Sequence, residues 1–312
     1  MRWSYSASRS FRQCQRQWYF KNVVASARAK EPIRRRAYLL SKLQTVSAWR
    51  GRIVDQVISK TIVPGLNRRV GVTLKTVKER ARDLFDRQLA YAMRHPIHDP
   101  DLKVSDAGDD FALLFGIEYG APPCEREFET AWLEIEQALT NLYGMERVRS
   151  TLKEADYVIA QRALQYDLMD GVTVLAYPDA IAFRPQASPL IIDWKVHAFG
   201  QNDAWLQLAI YAIALSRSKH SDFPASFSCE AEDILLLEAQ LLTESLREHQ
   251  LGEDQIEEAQ EYIISSAYEI ACLTDGKKYP ELKAEDFRVA THAETCQRCA
   301  FRAICWEGSN VH

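Results

Sequence analysis

The chain of 312 residues is 47% hydrophobic, enough for a sizeable core in one large domain or two linked ones. A net charge of −4 and a pI near 6.0 give no general sign of a polyanionic partner. Seven cysteines, an odd number, and the lack of an apolar signal segment argue against a secreted disulfide framework and for a reducing, cytoplasmic setting.

The charge is unevenly spread. Residues 1–52 hold thirteen Arg or Lys against one acid, Glu31, a surplus of twelve, so the rest of the chain carries −16. Ser4-Tyr-Ser-Ala-Ser8 offers N-caps for a helix over about 9–20. Arg9, Arg12, Arg16 and the run Arg34-Arg35-Arg36 are expected to meet a nucleic-acid backbone. Phe11, Trp18, Tyr19 and Phe20, interleaved at helical spacing, are read as core. A second helix is predicted over about 39–62, ending before Pro64-Gly65. Residues 67–154 read as mostly helical, with a loop at His95-Pro-Ile-His-Asp-Pro100, whose histidines are taken as loop residues, and a break at Pro122-Pro123.

From residue 155 the pattern turns to β. Stretches 157–169 and 172–184 read as a hairpin around Asp170-Gly171. A third strand, 190–196, follows the turn Pro185-Gln-Ala-Ser-Pro189, and then comes a helix containing Gln207 and Tyr211. Strands over 231–239 and 241–247 continue the sheet, and a helix over 253–272, acidic at its start, leads to the last cysteines.

Successive side chains on a strand alternate in direction, so Asp193 and Lys195 share a face while Trp194 points the other way. The neighbouring Leu190-Ile-Ile192 suits a strand in the middle of a sheet. Asp179, on the preceding strand, folds back towards Asp193. Two converging carboxylates with room for water and phosphate suit Mg²⁺ or Mn²⁺, and a nearby ammonium orients a water or stabilises phosphoryl charge. Taken alone, the pattern also describes a buried ion pair in an ordinary sheet. Gln207 and Tyr211, four apart, project from one helix face.

Pro178-Asp179, a gap of thirteen residues, and Asp193-Trp194-Lys195 together resemble the PD-(D/E)XK nuclease signature, and Gln207-x-x-x-Tyr211 resembles the helix of its RecB-like branch. The resemblance implies an α/β restriction-endonuclease-like αβββαβ core with a helical insertion. Asp179 and Asp193 would bind metal, Lys195 would position the water, and Gln207 and Tyr211 would support the site, the tyrosine near substrate. Many relatives have a metal-binding histidine four residues after the glycine of Gly51-Arg-Ile-Val-Asp55; here Asp55 is either a substitute ligand or a surface acid.

Cys14, Cys296-Gln-Arg-Cys299 and Cys305 form a set that by spacing alone could hold Zn²⁺ or an iron–sulfur cluster. Their arrangement resembles the four-cysteine module of RecB-like nucleases, which include AddB-type repair nucleases and CRISPR-associated exonucleases; this implies a 4Fe-4S cluster joining the chain ends. Cys124, Cys229 and Cys272 are read as buried fillers. The expected organisation is an N-terminal helix (1–30), a helical region (31–154), the nuclease core (155–252) and a cysteine module (253–312). The expected activity is a metal-dependent exonuclease on single-stranded DNA ends in repair, CRISPR-type adaptation or defence. Alternatives are a nuclease subunit working with a helicase or CRISPR-type partner, or a degenerate nucleic-acid-binding scaffold. No Walker loop is present, which argues against unaided ATP hydrolysis, and no membrane role is indicated.

Overall fold

The computed structural model describes residues 1–94, 96–99, 102–169, 171–184, 187–196, 204–224 and 227–306. In chain order its strands are β1 (Arg2–Trp3), β2 (Leu43–Gln44), β3 (Leu113–Leu114), β4 (Tyr157–Ala160), β5 (Leu164–Met169), β6 (Val172–Ala176), β7 (Ala180–Arg184), β8 (Ala187–Lys195), β9 (Leu235–Gln240) and β10 (Ser245–His249). The helices that frame the site are α1 (Tyr5–Gln13), α2 (Gln15–Tyr19), α3 (Pro32–Leu40), α4 (Val46–Val57), α5 (Leu74–Ala92), α6 (Glu125–Gly144), α7 (Ala204–Arg217) and α8 (Glu253–Thr274).

Five strands form the main sheet in the order β10-β9-β8-β7-β4. β8 lies in the middle, antiparallel to β7 and parallel to β9, where its run Leu190-Ile-Ile192 is buried on both faces. The parallel pair is joined through α7, because parallel strands need a long crossover. Ile191 and Leu236 look into a core shared with α7, α8 and the N-terminal helices, including Phe11, Trp18, Tyr19 and Phe20. Ile192, Trp194 and Leu237 look into a second core built with α4, α5 and α6. Each fully buried Leu or Ile contributes roughly 1.5–3 kcal/mol, so both faces are firmly covered.

The two long strands predicted at 157–169 and 172–184 are each split. β4 stops at Ala160 because Gln161 takes a left-handed φ of 53°, and β6 stops at Ala176 before Tyr177-Pro178, where proline has no N–H for a ladder. β4 and β7 pair with each other in the main sheet. β5 and β6 form a hairpin with Gly171 at φ 75°, and β1 joins them as a parallel third strand. Asp170, Pro185 and Gln186, from the predicted turns, lie outside the described residues, as does His95.

The helices also depart from expectation. Ser4 caps α1 directly, accepting from the Ala7 N–H at 3.3 Å. Cys14, in an extended conformation, then interrupts the helix, and its Sγ accepts from the Gln17 N–H at 3.4 Å to cap α2. The helix predicted over 39–62 is two, because α3 ends at Leu40, β2 intervenes and Thr45 caps α4. Helical structure continues through a wide turn, Ile58–Ile62, into Val63–Asn67. Pro64 therefore sits at the start of a helical segment, where a missing N–H is tolerated, and does not end the helix. Cys124 and Cys272 are exposed and Cys229 half-buried, so the first two are not core fillers; Cys124 caps α6 and Cys272 lies on the outer side of α8.

Candidate active site

Asp193 and Lys195 project from β8 towards α7, opposite to Trp194. Asp193 is 2% exposed, and such a carboxylate needs polar company. Lys195 supplies it through an ion pair with Asp193 Oδ2, and its Nζ also donates to Gln207 Oε1 at 3.3 Å. Gln207 Nε2 donates to the Tyr211 hydroxyl at 2.5 Å and lies 3.5 Å from Asp193 Oδ1, at the limit of a hydrogen bond. The i, i+4 spacing on α7 thus makes a chain of contacts from Tyr211 through Gln207 to Lys195 and Asp193. Tyr211 is buried, so it acts on Gln207; burial, followed by the Asp193 charge, pushes its hydroxyl pKa up.

Asp179 stands just before β7, where the break at Tyr177-Pro178 turns it towards β8. Its Oδ2 accepts from the Trp194 backbone N–H at 2.8 Å. Its Oδ1 and the Oδ1 of Asp55, on α4, both accept from Gln161 Nε2, at 3.1 and 2.8 Å. Gln161 thereby brings the helix carboxylate to the sheet carboxylates. Burial raises the Asp55 carboxyl pKa to about 6, aided by the Asp193 charge and opposed by the Gln161 hydrogen bond and by Arg52. Asp179 is pushed well above the usual carboxylate range by burial, then by the charges of Asp193 and Asp55.

Asp55, Asp179 and Asp193, the last of which raises the proton affinity of the other two, form an oxygen-only donor set of the kind that suits a hard divalent cation. As placed, no three His, Cys, Asp or Glu side chains among the described residues close to ligating distance. The Gln161 amide instead bridges Asp55 and Asp179, and the Lys195 ammonium pairs with Asp193. Arg52, Asp55, Asp179 and Lys195 line one open cavity of about 470 Å³.

The four predicted cysteines also come together. Cys14, Cys296, Cys299 and Cys305 line a common small cavity with Phe20 and Phe301. Burial, with the neighbouring thiols, raises the Cys299 pKa to about 11 against a hydrogen bond from Phe301, while Arg16 opposes the burial-driven rise at Cys305. Arg16 also donates to the carbonyls of Ala284 and Phe287, so it braces the C-terminal segment. Arg9 and Arg12 are exposed against the rings of Tyr5 and Tyr262. Arg34 donates to Val24 O, and Arg35 to Ala27 O and Leu102 O, so both hold loops; Arg36 is exposed. Arg9, Arg12 and Arg36 are thus exposed, while Arg16, Arg34 and Arg35 also brace backbone.

Sequence reasoning missed Gln161 and Arg52. The only local sign of Gln161 is a polar residue closing the apolar run Val158-Ile-Ala160, which does not reveal that it spans two distant aspartates. Arg52 could have been found as the residue one helical turn before Asp55, on the same face.

The chain matches the PD-(D/E)XK nuclease superfamily over residues 2–306 and belongs to that superfamily. Its mixed α/β fold is accordingly restriction-endonuclease-like. Members of the superfamily are nucleases, acting on nucleic acid and typically using Mg²⁺ or a similar divalent ion. No curated protein matches the chain. Among the described residues, no helix is long and apolar enough to cross a membrane.

Proposed function

We propose that the chain is a stand-alone deoxyribonuclease of the RecB-like branch that degrades single-stranded DNA from its ends with Mg²⁺ or Mn²⁺. One observation carries this reading: Asp55 and Asp179, joined by Gln161, meet Asp193, Lys195, Gln207 and Tyr211 at the Trp194 backbone of β8, beside an open cavity, although these residues come from helices and strands far apart in sequence. A buried structural ion pair does not require the two further carboxylates.

Asp55, Asp179 and Asp193 would hold the ion, with Asp55 supplying an oxygen where many relatives use histidine. A bound divalent ion supplies Lewis-acid polarisation of the phosphoryl oxygen and a more acidic water. Lys195, fixed between Asp193 and Gln207, orients the attacking water by donating to it. Gln207 holds the ammonium through its carbonyl, and Tyr211 fixes the Gln207 amide. The Trp194 backbone N–H keeps Asp179 turned towards the site.

The four cysteines would carry a 4Fe-4S cluster that ties residues 1–30 to residues 253–312 and leaves 155–252 as the nuclease core after a helical region, 31–154. Their shared cavity and the likeness of their spacing to the four-cysteine module of RecB-like nucleases support this reading. The thiols suit a reducing cytoplasm, and repair, CRISPR-type adaptation or defence, alone or beside a helicase or CRISPR-type partner, are the settings that fit such an activity.

The test is incubation of wild type and Asp193→Ala with end-labelled linear and circular single-stranded DNA and with duplex DNA, with and without Mn²⁺. Wild type should shorten linear single strands only with metal and spare circles. Asp193→Ala should be slower by more than about 100-fold. Equal cleavage by both proteins would remove Asp193 from the mechanism, and no cleavage by wild type would favour a binding scaffold.

A further inference from the structure

The carboxylate cavity has a cationic wall that the hydrolytic chemistry above does not use. Arg52 precedes Asp55 by one turn of α4 and lines the same cavity as Asp55, Asp179 and Lys195. It donates to the neutral Gln44 Oε1, at 3.3 Å, and makes no ion pair among the described residues. Lys42, in the turn between α3 and β2, is half-buried with its ammonium 5.0 Å from the centroid of the Tyr38 ring. Its ammonium has neither ion pair nor hydrogen bond among the described residues.

Arg52 holds Gln44, two residues along from Lys42, so the two cations belong to one stretch of the structure. Burial, then the charges of Arg52 and Lys21, lower the Lys42 pKa, and burial lowers that of Arg52 against the opposing charges of Asp109 and Asp55. Among the described residues no acid forms an ion pair with either. Like charges at half-buried positions repel one another, and an anion that binds between them relieves that repulsion. Asp109 is itself engaged by Lys60. The planar guanidinium of Arg52 suits two oxygens of one phosphate, and the Lys42 ammonium adds an undirected positive charge behind it.

We propose that Arg52 and Lys42 form a binding subsite for a phosphate flanking the scissile one, which sets the register of a single DNA strand across Asp55, Asp179 and Asp193. The inference rests on the deoxyribonuclease reading and deepens it: Lys195 serves the reacting phosphate, and the Arg52 side of the cavity serves its neighbour.

The test is a charge-deletion scan. A labelled single-stranded DNA oligonucleotide carrying one neutral methylphosphonate, moved along the strand position by position, is bound in EDTA and cleaved in Mn²⁺ by wild type, Lys42→Gln and Arg52→Gln. In wild type, one position beside the cleaved bond should lower affinity by about 10-fold, and in both variants that penalty should vanish. The slope of log affinity against log salt should also fall by about 0.7 in each variant, the value for one lost contact to a single strand. Lys42→Gln should melt at the same or a higher temperature than wild type, because it relieves repulsion, so weaker binding cannot be ascribed to misfolding even if Arg52→Gln folds poorly. Wild-type cleavage with the same methylphosphonate profile in Lys42→Gln overturns the subsite and leaves the nuclease reading standing. A wild type that neither binds nor cleaves DNA overturns both.

Discussion

Gln161 holds Asp179 twice. Its backbone N–H donates to the Asp179 carbonyl at 3.1 Å, and its side-chain Nε2 donates to Asp179 Oδ1 at the same distance while also reaching Asp55. The left-handed φ of Gln161 aims both groups in that direction. Partners that orient metal ligands typically matter 10–100-fold for affinity or activity, so Gln161→Ala should raise the Mn²⁺ concentration for half-maximal cleavage by about that factor. A metal titration of the cleavage rate reads this directly, and an unchanged midpoint would remove Gln161 from the site.

The raised carboxyl pKa values of Asp55 and Asp179 give metal-free protein a defined pH response. A group whose folded pKa lies above its unfolded value contributes stability that is complete below the unfolded pKa and is lost as pH rises through the folded one. For Asp55 that window runs from about 4 to somewhat above 6. In EDTA, Asp55→Asn should therefore gain in melting temperature relative to wild type as pH rises through this range. With Mn²⁺ present the order should reverse at the upper end, because ion binding requires the deprotonated carboxylate. Parallel melting curves for the two proteins in EDTA would show that Asp55 carries no such shift.

Tyr211 separates support from structure. Tyr211→Phe keeps the ring packed among buried neighbours and deletes only the hydroxyl that accepts from Gln207. The expected result is a single-turnover rate lower by about 10-fold with KM nearly unchanged, together with a stability loss of about 1 kcal/mol. A raised KM at full rate would place Tyr211 in substrate binding instead.

Cys14 performs two tasks that one substitution can divide. A serine there can still cap α2 by accepting from the Gln17 N–H, but offers no thiolate to the cavity shared with Cys296, Cys299 and Cys305. Anaerobically purified Cys14→Ser should keep its helix content and lose both bound iron and the broad absorption near about 400 nm expected of wild type. Zinc in place of iron in the wild type would reject the cluster.

The sheet segment around Asp193 was readable because its chemistry is local: alternation places Asp193 and Lys195 together, and four-residue spacing places Gln207 and Tyr211 on one face. The strand breaks at Gln161 and Tyr177-Pro178 were not, since each follows from competition between sheets. β1, more than 150 residues away, claims one half of the hairpin, while β4 and β7 claim each other. The same distance hid Gln161, whose role exists only after β4, β7 and α4 have met. The bracing contacts of the arginines were hidden for a related reason: at Arg16, Arg34 and Arg35 the guanidinium donates to backbone carbonyls, and composition does not record carbonyl positions.

Every side chain of the proposed catalytic network lies between Asp55 and Tyr211, whereas the cysteine cavity takes its first wall from Cys14 and its last from Cys305. During synthesis the side chains of that network are therefore all present once α7 has emerged, and the thiols become a set of four only when Cys305 has followed. A nascent chain therefore holds the means of cutting before it holds the means of fastening, which waits for the segment that carries Cys296, Cys299 and Cys305.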